Sequence, residues 1–117
     1  MSFDLEIYQG GTYTLPLIWQ DSNKTPIDIT GRLARMQVRS SHADTTVLLE
    51  LTTENDRIIL GGIYGTIKLA LTAAETEAIT WTFGVYDLEL YYDDSGTEVV
   101  DKILYGNITI IPEVTRD

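Results

Sequence analysis

The sequence predicts an all-β fold: an antiparallel two-sheet β-sandwich with one short helix near residues 72–79. Three observations lead to it. Apolar and polar residues alternate with period two along most of the chain, the pattern of strands with one buried face. Glycine pairs and runs of Asp, Ser and Asn interrupt that alternation about every ten residues. No helical stretch is long enough to supply the crossovers that a parallel sheet requires. Eight or nine strands result.

Taken in order, Phe3, Leu5 and Ile7 share one face of residues 3–8, with Asp4 and Glu6 on the other, and Gly10-Gly11 breaks the run. In 12–20, Tyr13, Leu15, Leu17 and Trp19 alternate with Thr12, Thr14, Pro16 and Ile18. Pro16 has no N–H for a ladder, so this strand belongs at a sheet edge or carries a bulge there. Residues 21–24 form a turn, because Asp, Ser and Asn side chains bond their own backbone. After an approach over 26–31, residues 33–39 point Ala34, Met36 and Val38 inward and Arg35, Gln37 and Arg39 outward. A polar loop over 40–45 leads to a strand at 46–51, a turn at 52–56 and a short strand at 57–60. Gly61-Gly62 breaks that strand, and 65–71 resumes the alternation with Ile67, Leu69 and Leu71 in and Lys68 out.

One segment departs from the pattern. Thr72 with Glu75 three residues on has the spacing of a capping box, and the alanines around them favour helix. Glu75 and Glu77 then serve as capping and solvating groups. Residues 82–92 return to strand, with Tyr86, Leu88, Leu90 and Tyr92 on one face and Val85, Asp87, Glu89 and Tyr91 on the other. Asp93-Asp94-Ser95-Gly96 reads as a hairpin turn, with Gly96 supplying the left-handed conformation. Strands at 98–105 and 107–111 follow, divided at Gly106, and Pro112 ends the sheet. The expected core is Leu15, Leu17, Trp19, Met36, Val38, Leu69, Leu71, Tyr86, Leu88 and Leu90.

The 117 residues form a single expected domain over 1–117, and a composition 44% hydrophobic and 22% charged suits a globular protein rather than a disordered one. Cysteine is absent, which excludes disulfides, thiolate metal sites and cysteine nucleophiles. His42 is the only histidine, too little for an imidazole-based catalytic or zinc site. No apolar run reaches the ~20 residues of a membrane helix, and the first residues lack a signal peptide's basic and apolar regions. Eighteen acids against eight bases give a net charge of −10, which disfavours nucleic acid and anionic membranes as partners. The charge is uneven. Residues 72–101 hold eight acids and no base, whereas 24–39 hold four bases against Asp28 alone. That division has two readings: a solvated acidic surface, or opposed faces that guide docking to a partner or to another copy. For the second, the candidate protein-interface residues are outward Arg35 and Arg39 and outward Asp87 and Glu89. The alternative is that both arginines pair with acids of their own chain across the sheet.

No motif for chemistry stands out. Ser40, Ser41 and His42 are neighbours on a loop, which does not hold a nucleophile–base geometry. Asp87 and Glu89 share an outward strand face, where acids ordinarily meet solvent rather than a glycosidic bond. The run Asp93–Glu98 has oxygen ligands but not the twelve-residue calcium-loop spacing. Neither glycine pair opens a helix, as a phosphate-cradling loop does. Tyr64, Trp81, Tyr91 and Tyr105 are the aromatics able to stack on sugar, although such residues more often cover a core or a protein contact. The expectation is a protein that is not an enzyme, with no catalytic, metal or cofactor residues.

Three blocks near the start, Asp4–Tyr13, Leu17–Asp21 and Pro26–Gly31, resemble small tailed-phage and prophage structural proteins similar to the N-terminal domain of phage baseplate upper proteins. Gly65–Leu69, Leu71–Thr76, Val85–Leu90 and Gly106–Ile110 follow in the same order, so the resemblance spans about 4–114. It implies an immunoglobulin-like sandwich and a virion component made in the host cytoplasm. Its implied partners are other tail or baseplate proteins, or further copies of itself in a homo-oligomer. Baseplate upper proteins continue into a stalk or receptor-binding region where this chain ends at Asp117, so the implied role is an adaptor or accessory module. A carbohydrate-binding module of a tail fibre and a head decoration or connector protein are the competing readings. With no metal expected, adding EDTA is predicted to leave the melting temperature unchanged in a thermal scan; a fall of several degrees would place an ion at the Asp93-Asp94 turn.

Overall fold

Each alternating segment becomes a strand, and the alternation decides which face it buries. The computed structural model describes residues 2–115. Its strands are β1 (Leu5–Tyr8), β2 (Tyr13–Ile18), β3 (Leu33–Arg39), β4 (Leu49–Thr52), β5 (Ile58–Leu60), β6 (Thr66–Leu71), β7 (Phe83–Asp94) and β8 (Thr97–Ile111). A 3-10 turn over Gly62–Tyr64 joins β5 to β6, and the helix α1 (Ala73–Glu77) joins β6 to β7. Five strands form one sheet in the order β1-β8-β7-β3-β4, and three form the other in the order β2-β6-β5. Between them lies one core that draws Ile7, Met36, Leu88 and Ile108 from the larger sheet and Ile58, Ile67 and Leu69 from the smaller. The fold is an all-β sandwich.

Pairing is antiparallel with one exception. β1 runs parallel to β8, with Leu5 opposite Ile108 and Ile7 opposite Ile110. A parallel pair needs a long crossover, and the whole intervening chain supplies it. β8 is also one strand, not two. Gly106 does not interrupt it; a Cβ at that position would lie 2.3 Å from the Phe3 carbonyl oxygen. The glycine is where the lead-in to β1 crosses close to β8, and Phe3 N–H donates to Tyr105 O at 2.8 Å there. Alternation in β8 slips elsewhere. Leu88 faces Leu104, yet Glu89 faces Lys102, so Ile103 is the extra residue of a bulge.

Local signals in the sequence act as expected. In α1 the Thr72 hydroxyl accepts from Glu75 N–H at 3.1 Å and the Glu75 carboxylate from Thr72 N–H at 2.8 Å, a complete capping box. The β7–β8 turn has Ser95 at φ 53° and Gly96 at φ 91°, two left-handed residues in succession that match the twist of the ribbon. Pro16 sits on β2, an edge strand paired only with β6. The same edge position leaves Leu15, Leu17 and Trp19 packed against the core but only partly buried. Phe3 lies ahead of β1 and is exposed rather than inward. β4 starts at Leu49, later than the alternation suggests, because the Asp44 carboxylate accepts from Thr46 N–H at 2.9 Å and extends the loop.

Met36, Val38, Leu69, Leu71, Tyr86, Leu88 and Leu90 are buried as the periodicity requires. Leu88 is fully buried in the central strand pair, so Leu88→Ala is expected to cost about 2–5 kcal/mol in urea denaturation. A loss below about 1 kcal/mol would mean that β7 does not bury this face, since a one-residue slip exposes every inward side chain.

Candidate functional site

The outer face of the five-stranded sheet brings together three of the four candidate interface residues. Cross-strand register sets Thr52, Arg35, Glu89 and Lys102 in one row and Glu50, Gln37, Asp87 and Tyr105 in the next. Arg39 stands one row further along, opposite Val85. The charges alternate and touch. Glu89 accepts from Arg35 on one side and Lys102 on the other. Arg35 reaches on to Glu98 at 2.9 Å, and Lys102 to Asp87 at 3.3 Å. The Arg35 guanidinium also lies 4.1 Å from the centre of the Tyr91 ring. Arg39 donates instead to Gln37 at 2.8 Å and to the Asp44 carbonyl at 2.9 Å. The intramolecular pairing weighed from the sequence is therefore present for Arg35, and Arg39 bonds neutral oxygens.

Glu89 is an acid only 8% exposed, on the outward face of a strand. Burial alone raises its pKa, but hydrogen bonds from Lys102 and Arg35 outweigh that and leave the carboxyl below its ordinary range. The partners shift accordingly. Arg35 is held more firmly protonated by Glu98 and Glu89, and Lys102 is raised by Glu89. Tyr86, on the inner face, is pushed up by burial, and its hydroxyl donates to the Phe3 carbonyl at 2.5 Å. Lys102 escaped the sequence reading for a definite reason. Counting back by twos from inward Leu104 would place it inside; the bulge at Ile103 turns it out.

A shallow groove of about 800 Å³ runs over this face, with Arg39, Asp87, Lys102 and Tyr105 along it and Ser41 and His42 at the loop rim. The Ser40 hydroxyl pairs with the Asp44 carboxylate rather than with an imidazole. Among the described residues no group of three His, Cys, Asp or Glu side chains is placed to hold a metal ion. At the 93–98 turn, Asp93 accepts from Gly96 N–H at 3.3 Å. The aromatics named for stacking sit on separate elements: Tyr64 in the 3-10 turn, Trp81 ahead of β7, Tyr91 on β7 and Tyr105 on β8. Tyr64 and Tyr105 are exposed, Trp81 is partly buried, and Arg35 covers Tyr91.

No protein-family model and no curated protein matches the chain. A solved structure does: the N-terminal domain of phage TP901-1 ORF48, at a TM-score of 0.51 and 9% identity, over 91% of this chain and 82% of that one. The two share a fold. At that identity the likeness extends to the path of the backbone and carries no residue of the charged face with it.

The Glu89 cluster predicts a pH dependence. A carboxyl whose pKa is lower folded than unfolded stabilises the fold fully above its unfolded pKa, and the contribution disappears as pH falls through the folded value. Wild type should therefore lose stability as pH falls below about 5, and Glu89→Gln should flatten that part of the curve. At pH 7 the same substitution is expected to cost about 1–3 kcal/mol, because Arg35 and Lys102 lose their shared acceptor. Denaturant midpoints at several pH values measure both, and parallel curves for the two proteins would show that Glu89 is not the titrating group.

Proposed function

We propose that this chain is a non-enzymatic structural protein of a tailed-phage or prophage virion, an adaptor or accessory module of the tail or baseplate that works through protein–protein contacts. The observation that carries the reading is the fold shared over 91% of the chain with an N-terminal domain of a phage protein. The strand order adds to it. A five-stranded sheet with β1 alongside β8, facing β2-β6-β5, supports the immunoglobulin-like reading, a framework suited to presenting surfaces. The larger sheet also carries a polar face whose acids and bases are bonded to one another, not a reactive group set beside a base. Other tail or baseplate proteins are the proposed partners.

Quantitative mass spectrometry of purified particles from the strain that carries the gene, with immunogold labelling, tests this. The protein should co-purify with intact particles, at far fewer copies than the major head subunit, with label at the tail. Label over the head at a copy number matching the head subunit would favour the decoration reading. Absence from washed particles would remove the virion assignment altogether.

A further inference from the structure

The two outer faces of the sandwich differ in charge. That of the larger sheet is charged and internally bonded at its centre, with exposed Tyr8, Phe83 and Tyr105 and a Leu33–Tyr91–Val100 row around that network. That of the smaller sheet, β2-β6-β5, has no acid anywhere on its three strands, in a chain with eighteen acids. Its outward residues are Thr14, Pro16 and Ile18 on β2, Lys68 with Thr66 and Ala70 on β6, and Ile59 on β5. Ile18 and Ile59 are 55% and 50% exposed, and the 3-10 turn at one end of the sheet adds exposed Ile63 and Tyr64. Pro16, Lys68 and Ile59 lie in one cross-strand row, which puts Lys68 at the middle of the face. Lys68 has no ion-pair partner among the described residues, unlike Lys102 and three of the arginines.

From strand spacing and rise, this face measures roughly 300 Å². That area includes Lys68, Thr14 and Thr66 with the apolar side chains, and it is the scale of the centre of an interface, not of a whole one. The charge pattern chooses the occupant. A second copy docked face to face about a two-fold axis would bring two Lys68 ammonium groups together at the centre. A different protein that sets one carboxylate among apolar side chains would neutralise Lys68 and cover Ile18 and Ile59. We infer that the outer face of β2-β6-β5 is the docking surface for another protein of the same particle, one presenting an apolar patch around a carboxylate. The inference rests on the virion reading and specifies which surface does the docking.

The experiment uses particles assembled with wild-type protein, Ile59→Glu, Lys68→Glu and, as a control on the charged sheet, Thr109→Glu. Circular dichroism and thermal melts establish that each variant folds. Ile59→Glu and Lys68→Glu should fall at least about tenfold in copies per particle while Thr109→Glu is retained. On wild-type particles, a carbodiimide that joins an amine to a touching carboxylate should link Lys68 to an Asp or Glu of a different protein, an outcome that needs no variant to fold. Undiminished incorporation of both variants beside incorporated wild type would overturn the surface and leave the virion reading standing. A Lys68 link to another copy of this chain, or a dimer in sedimentation that Ile59→Glu dissolves, would overturn the occupant. Absence of wild type from particles would overturn the virion reading itself, and this inference with it.

Discussion

β8 carries one residue, Ile103, that β7 does not oppose, and the outer face of the larger sheet depends on where that residue sits. Beyond it towards the C-terminus, Leu104, Ile108 and Ile110 face the core; before it, the phase is reversed. The reversal places Lys102 beside Glu89 on the outside and Asp101 opposite Leu90 on the inside. Asp101 then meets Arg32 at 2.7 Å, while the Arg32 guanidinium lies 4.2 Å from the centre of the Tyr92 ring. A bulge both bends a strand and re-aims its side chains. In this protein the re-aiming turns a lysine out to a buried acid and an aspartate in to an arginine.

Glu89 shows what that arrangement has to overcome. Removing a carboxylate from water is unfavourable unless cations and hydrogen bonds replace the lost hydration. With Arg35 and Lys102 both in place, the net effect is a carboxyl more acidic than usual despite its burial. The same economy of charge runs through the molecule. Arg32, Arg35, Arg57 and Lys102 are all in ion pairs with acids of their own chain. Of the four bases over 24–39, Arg32 and Arg35 are in such pairs, whereas Lys24 and Arg39 have no ion pair among the described residues. The segment is thus half neutralised by its own chain, and acids remain in excess over the whole sequence.

Most of the fold was legible because each strand buries one face, so period two appears directly in the residues; Met36, Val38, Leu88 and Leu90 are the plain cases. The Thr72–Glu75 capping box was legible because it is a local device with fixed spacing. What escaped depends on distant partners. Nothing between Leu5 and Tyr8 says that the neighbour is Ile108–Ile111, running the same way. Gly106 looked like a break because glycine weakens strands, whereas its reason is the Phe3 carbonyl across the ladder. The real slip at Ile103 is hidden in a run of apolar residues, where either phase looks acceptable. Of the candidate site, the outward direction of Arg35, Arg39, Asp87 and Glu89 was readable, but not that Lys102 would join them or that Arg39 would turn to Gln37 and Asp44.

The contrast between the two outer faces has an energetic basis. A network such as Asp87–Lys102–Glu89–Arg35–Glu98 already has its charges paired, so a partner laid over it must strip water from groups that gain few new bonds. Its exposed pairs, Arg35–Glu98 and Lys102–Asp87, contribute only ~0.2–1 kcal/mol each, and salt screens them beyond ~8 Å. Apolar side chains such as Ile18 and Ile59 stand differently, since covering them returns about 25 cal/mol for each Å² taken from water. Lys68 among them adds selectivity, because covering it without a carboxylate would leave a cation desolvated. The sandwich thus sets a self-bonded charge network at the centre of one outer face and, on the other, an acid-free face where covering Ile18 and Ile59 is favourable once Lys68 is matched.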